Sequence, residues 1–438
     1  MSSRLLDFDL RFSKVLFWGA VGSGLLSACQ PNGSDAPSQK SPQEVEALLR
    51  DRVVRLTSPE MAGRETGTPG EWAAASYIDS SFHALGLLPK GDSLAFQPFS
   101  FKPHPPMQVH EPEEGIAQMG MALVQETRGY NLLYATPTSA GKWGVIAAHY
   151  DHLGMGGDAS LHRGDPAPHP GADDNASGVA VLLALAEGLM DQPLGHPMLF
   201  AAFSGEEKGL IGSNYFCENP TVRLDSIRYM INLDMVGRMH GDSLAVYGTG
   251  TSPRWQALLD SCNTDGLILV PSTDGVGPSD HTSFYLENIP VLHFFTGQHA
   301  DYHKPTDTEE KLNYAGMIKV YALVDRLVRA LEQEQEWPFV ATQDTTQKQK
   351  SPSFKVTLGV IPDYMYGETG VKIDAVTAGR PAAKAGIQRG DIILRMDDTA
   401  IQDLYDYMEL LGILEPGMTT EMEIERNGKP MVVQVTWD

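Results

Sequence analysis

Four short, nearly uninterrupted apolar runs mark the middle of the chain: GVIAA (144–148), MLFAAF (198–203), RYMINL (228–233) and PVLHFF (290–295). A strand with one face in water alternates apolar and polar residues, whereas runs without alternation belong to strands covered on both faces. Val179 to Leu189, rich in Ala and Leu, predicts a helix between the first two runs. A further helical pattern opens near Glu44 and continues through VEALLRDRVVRL. Buried strands separated by helical segments predict an α/β fold, a mostly parallel sheet with helices on both faces.

The pattern changes after residue 340. ATQDTTQKQKSPS (341–353) is polar and aperiodic, the mark of a linker. Beyond it FKVTLGV, GVKIDAV, DIILRMDD, EMEIER and MVVQVTW predict short strands, with helical stretches at GRPAAKAGI and QDLYDYMELLGIL. That describes a second, small α+β module over 354–438, after a body over 44–340. Ahead of the body, PNGSDAPSQKSP (31–42) is too polar and Pro-rich to fold and reads as a tether, within a linker over 29–43.

The first 28 residues predict a targeting segment. Arg4, Arg11 and Lys14 precede the apolar stretch VLFWGAVGSGLL, which is too short to span a bilayer as a permanent helix. Leu26-Ser27-Ala28-Cys29 resembles the lipobox of bacterial lipoproteins, in which cleavage precedes the cysteine and the thiol is lipidated. The resemblance implies a cell-envelope protein held to the membrane by a lipid anchor at Cys29. Gln30, where an inner-membrane retention signal has Asp, points to the outer membrane, facing periplasm or exterior. A plain signal peptide is the simpler alternative.

Composition narrows the partners. With 42% hydrophobic and 20% charged residues the chain can bury a large core, and a net charge of −23 argues against nucleic acid. Besides Cys29 there are Cys217 and Cys262, which either pair in an oxidising compartment or remain buried thiols.

Candidate chemistry lies just after the buried runs. His149-Tyr150-Asp151-His152 follows GVIAA, Ser204-Gly205-Glu206-Glu207 follows MLFAAF, and Asp234 follows RYMINL. Asp301-Tyr302-His303 comes a few residues after PVLHFF, and Asp173-Asp174 immediately precedes the helix near Val179. In open α/β sheets ligands gather beyond the carboxyl ends of the strands. A single Asp at a strand end is usually a cap or turn residue, and a Glu-Glu pair is usually a solvated face. Five such clusters in one topological position point instead to an open catalytic metal site, whose imidazole and carboxylate donors suit zinc, with cobalt or manganese as substitutes.

HYDHLG, GADDNASG, SGEEKGLIGS, NLDMVG and YHKPTDT, in that order, resemble the zinc-dependent aminopeptidases of peptidase family M28, from about Met61 in MAGRETGTPG to about Leu331. The resemblance implies two Zn2+ ions bridged by Asp174. One is held with His149 and Glu207, the other with Asp234 and His303; the places of Glu207 and Asp234 could be exchanged. Glu206 would be the general base acting on a hydroxide shared by the metals, and Asp151 would orient the His149 ring. Tyr302 resembles a tyrosine that stabilises the oxyanion in some members, or else packs structurally. His152 and His281 read as structural, and Asp307 as a cap or outer support. The Gly/Pro-rich stretch 154–170 reads as a lid or specificity loop, with its His162 and His169 outside the metal set.

PAAKAGIQRGDIIL resembles a PDZ domain of the kind attached to bacterial proteases, with Leu358-Gly359-Val360 at the loop that captures a peptide's C-terminal carboxylate. The alternative is a PDZ fold that binds nothing. The expectation for the whole is an aminopeptidase acting on peptide substrates. Its rivals are a carboxypeptidase, dipeptidase or one-zinc glutaminyl cyclase on the same scaffold, and an inactive peptide-binding adaptor.

Overall fold

The computed structural model describes residues 40–101, 126–138, 141–157, 159–162, 164–332, 337–342, 356–362, 366, 368–376, 379–402 and 404–437. The targeting segment, Cys29 and nearly all of both linkers lie outside the described residues. Among the described residues no helix is long and apolar enough to cross a membrane.

The body opens with α1 (Pro42–Leu56), which starts earlier than the apolar pattern suggests. Ser41 Oγ accepts the Glu44 N–H while the Glu44 carboxylate accepts the Ser41 N–H, so the first turn is capped reciprocally. Then follow α2 (Pro69–Ala84), β1 (Leu88–Pro89), β2 (Phe96–Phe101), β3 (Thr127–Ala135) and β4 (Trp143–His149). After these come α3 (Gly178–Asp191), β5 (Met198–Phe203), α4 (Ile211–Glu218), β6 (Ile227–Leu233) and β7 (Ser243–Tyr247). The body ends with α5 (Trp255–Cys262), β8 (Ile268–Pro271), α6 (His281–Leu286), β9 (Val291–Phe295) and α7 (Tyr314–Leu331). All four apolar runs are strands of one sheet, ordered β1-β3-β5-β4-β6-β9-β7-β8, with β2 paired to β3.

The sheet is parallel at its centre, where β5, β4, β6 and β9 run together. Towards its margins β3 pairs antiparallel with β5, and β7 with β9. Alternate residues of the central strands feed two cores. Ile146, Ala148, Phe200, Ala202, Ile231 and Leu233 belong to the core that also contains the buried residues of α1, α3 and α7. Val145, Ala147, Leu199, Ala201, Phe203 and Met230 pack on the other side with Phe216 of α4 and Phe284 of α6. Burial on both sides is why the runs lack alternation. Truncating one of these large side chains to Ala would cost about 2–5 kcal/mol. Cys217 lies in the second core and Cys262 in the first, so the sheet separates them and both are free thiols.

The C-terminal module comprises β10 (Val360–Pro362), β11 (Val371–Val376), α8 (Pro381–Lys384), β12 (Ile392–Met396), β13 (Thr399–Ala400), α9 (Leu404–Ile413), β14 (Thr419–Arg426) and β15 (Lys429–Thr436). Its sheet runs β10-β11-β12-β14-β15, with β13 on β12, and every pairing is antiparallel. It has its own core, including Leu358, Ile373, Ile393, Ile424 and Trp437. The strand expected from Phe354 is confined, among the described residues, to Val360–Pro362.

Candidate metal centre

The parallel strands β4, β5 and β6 end at one edge, and each releases its polar residues there. His149 is the last residue of β4, Glu206 and Glu207 follow β5, and Asp234 follows β6. Asp174 sits in the turn leading into α3, and His303 in the loop after β9.

Asp174 lies between two groups. Its Oδ1 is 3.4 Å from His149 Nε2, which is also 3.2 Å from Asp234 Oδ1. Its Oδ2 is 3.2 Å from His303 Nε2, which is also 3.3 Å from Glu207 Oε2. The six-residue constellation foreseen from sequence is therefore assembled, with Glu206 beside Glu207. The grouping is the exchanged one: Asp234 stands with His149, and Glu207 with His303. A further group joins His152 to Asp174 and Glu207, through His152 Nδ1 at 2.7 Å from Glu207 Oε1.

The electrostatics show what the site wants. Burial works against a charged His303, yet Glu207 and Asp174 push its pKa up to about 10. Burial likewise opposes a charged Glu207, but His303 holds it down to about 2. The imidazoles and carboxylates thus stabilise one another's charge within the buried cluster. His149 is also raised, burial notwithstanding, chiefly by Glu206 and Asp234. Glu206 is raised well above the usual carboxylate value by burial, with Asp234, Glu207 and Asp280 adding to it and His149 opposing. Imidazole and carboxylate donors gathered around one shared carboxylate fit divalent metal, and no thiolate is among them.

Supporting contacts fix the donors. His149 Nδ1 is 3.2 Å from the main-chain carbonyl of Asp151, whereas the Asp151 carboxylate is 3.7 Å away. That carboxylate instead accepts Thr66 Oγ1–H at 2.9 Å and the Glu206 N–H at 3.2 Å, so it places Glu206 at least as directly as the His149 imidazole. Asp307 Oδ2 accepts the N–H groups of Asp173 and Asp174 at 2.9 and 3.2 Å, the supporting role expected of it. Tyr302 stacks on His303 with ring centroids 3.8 Å apart and packs against the small apolar cluster of Met235, Ala245 and Phe295.

The Gly/Pro-rich stretch is a support for His303. The Ala159 carbonyl is 2.9 Å from His303 Nδ1, and the Leu161 N–H donates to the His303 carbonyl at 3.0 Å. His303 has a left-handed backbone, φ +53°, which these contacts hold in place. His169 has Ser160 Oγ 2.7 Å from Nε2 and the Ala167 carbonyl 2.8 Å from Nδ1, so both ring nitrogens are occupied away from the metal groups. His281 stacks on His293 at 4.5 Å within the interior, a structural place.

Besides Thr66, two further residues were given no role from sequence. The fully buried Arg64 donates to the carbonyls of Leu56, Tyr150, Pro170 and Gly171 at 2.7–3.0 Å, joining α1 to both ligand-bearing loops. Asn175 accepts from the Gly178 and Met235 N–H groups and donates to the Leu233 carbonyl, tying α3 to the end of β6. The signal for both was their place inside MAGRETGTPG and GADDNASG, which names a segment and not a contact.

Comparison with known proteins agrees with this architecture. The profile of peptidase family M28 matches residues 131–328, and that of the PDZ domain residues 342–436. Aminopeptidase YwaD of Bacillus subtilis is 28% identical over 196 residues, covering 41% of this chain and 40% of YwaD. The alignment thus spans less than half of that relative. An aminopeptidase structure from Aneurinibacillus sp. strain AM-1 superposes with a TM-score of 0.52 at 19% identity, covering 69% of this chain and 98% of that one. Porphyromonas gingivalis glutaminyl cyclase superposes at 0.51 and 19% identity, covering 66% and 98%, so the shared fold alone does not select a reaction. The chain thus carries a match to the peptidase family M28 profile over residues 131–328, followed by a match to the PDZ domain profile.

Proposed function

We propose that the chain is a co-catalytic di-zinc aminopeptidase that removes N-terminal residues from peptides. The observation that carries this reading is the split of Asp174, one oxygen towards His149 and Asp234 and the other towards His303 and Glu207, with Glu206 alongside.

His149, Asp174 and Asp234 would hold one zinc, and His303, Asp174 and Glu207 the other. Bound zinc supplies Lewis acidity, activating water and polarising the scissile carbonyl. Glu206 takes a proton from the attacking water and returns it to the leaving amine. Asp151 and Thr66 keep Glu206 aimed through the Glu206 N–H contact. Tyr302 donates a hydrogen bond from its phenol O–H to the oxygen that gains charge. In the C-terminal module, Leu358-Gly359-Val360 leads into edge strand β10, the placement needed to receive a peptide's C-terminus as an added strand.

The test is an assay on aminoacyl anilides with free and with acetylated amines, with and without chelator, alongside metal analysis. Chelator-sensitive cleavage of the free-amine set alone, with two zinc equivalents, is expected. Cleavage of acetylated substrates would redirect the reading to another peptidase type, and cyclisation of N-terminal glutamine without hydrolysis to a cyclase. Glu206→Gln should retain both metals and lose about 10²–10⁴-fold in kcat; loss of an ion would make Glu206 a ligand.

A further inference from the structure

We propose that His152 is a positioning residue that holds one oxygen of Glu207, so that Glu207 presents only its other oxygen to the second metal. This rests on the two-metal reading above. His152 is not a sixth ligand, and distances decide between the two roles. Two donors on one tetrahedral zinc, with bonds of about 2.0–2.2 Å, sit roughly 3.3 Å apart. The separations around His149 and His303, 3.2–3.4 Å, match that value. His152 Nδ1 matches it with neither neighbour, being 2.7 Å from Glu207 Oε1 and 3.7 Å from Asp174 Oδ2. The shorter distance is that of a charge-assisted hydrogen bond.

The two oxygens of Glu207 are therefore divided between two imidazoles: Oε1 to His152 and Oε2 to His303. The Nδ1–H of His152 is the donor, and its Nε2 is buried with no hydrogen-bond partner among the described residues. The ring is fixed from several sides. The His152 N–H donates to the Arg64 carbonyl at 3.3 Å, and the ring stands edge-on to His303 at 5.8 Å. A methyl group at Gly171 would come within 2.5 Å of His152 Cδ2, so the glycine opens the space that the ring occupies. An oxygen engaged by His152 is withheld from the metal, which leaves that coordination position to substrate.

The experiment uses the full chain loaded with zinc or with cobalt, in the parent, His152→Ala and His152→Asn, an amide that can place an N–H near the Nδ1 position. Three quantities are read: metal equivalents, the visible absorption of the cobalt form, and kcat with KM on a free-amine anilide. We expect His152→Ala to keep two equivalents, to show weaker cobalt absorption as Glu207 chelates with both oxygens, and to lose about 10–100-fold in kcat with KM little changed. His152→Asn should recover the parent's absorption and most of kcat, and it carries the test if the alanine variant does not fold. Loss of one metal equivalent in a folded His152→Ala protein would make His152 a ligand and overturn the proposal. So would parental absorption and kcat in His152→Ala, or an asparagine variant no better than alanine. A parent that binds fewer than two metals would instead overturn the underlying two-metal reading.

Discussion

Arg64 carries a full charge through the interior to reach main-chain carbonyls just after His149 and just ahead of Asp174. Burial pulls its pKa down, to about 10, while Asp174, Asp151, Asp307 and Glu207 pull the other way, so it remains a cation beneath the acidic cluster. A hydrogen bond from a charged donor contributes about 1.5–3 kcal/mol, and a lysine could keep one of the four. Arg64→Lys should therefore lower the melting temperature and weaken zinc binding about tenfold or more, read by calorimetry and by competition with a chromogenic chelator. Unchanged zinc affinity would confine Arg64 to a purely structural role. The donor residues were legible in sequence because each follows a recognisable strand or opens a recognisable helix. Arg64 was not, because its partners are carbonyls, which every residue has.

At the level of elements, the apolar runs announced the four central strands almost to the residue, because strands buried on both faces have no alternation to blur their ends. The order of those strands was not legible, and with it the grouping of ligands. β4 lies between β5 and β6, so both Glu207 and Asp234 are brought beside His149 by pairing alone, and Asp234 is the one that reaches its ring, a neighbourhood only tertiary structure creates. The stretch 154–170 reads as a lid or specificity loop from its glycines and prolines, a reading that is silent on which residues it touches. Its actual contact, Ala159 with His303, joins residues 144 positions apart, which no local pattern encodes. Under the two-zinc proposal, Leu161→Pro, which removes the N–H bonded to the His303 carbonyl, should reduce zinc stoichiometry towards one equivalent if the stretch supports His303. A lid would leave stoichiometry at two and alter KM alone.

At the scale of the whole molecule, the body and the C-terminal domain have separate sheets and separate cores, and among the described residues the hydrophobic clusters share none. Under the proposed aminopeptidase function, a chain ending at Thr342 should hydrolyse aminoacyl anilides within about twofold of the full chain, since every donor and support named above precedes that point. Under the PDZ reading, the same truncation removes binding of peptides with a free C-terminal carboxylate, measurable by fluorescence anisotropy. Loss of anilide hydrolysis in a folded truncation would mean that the C-terminal domain completes the active site. The placing of Cys217 and Cys262 on opposite faces of the sheet has a practical consequence too. Burial pushes both thiols upward in pKa, so neither offers a reactive thiolate to solvent. A maleimide should modify them only as the layers on either side of the sheet open. Two thiols labelled at one rate would report a body that unfolds as a unit, and two rates would show that one layer peels away first. The pair is a built-in clock for each side of the sheet.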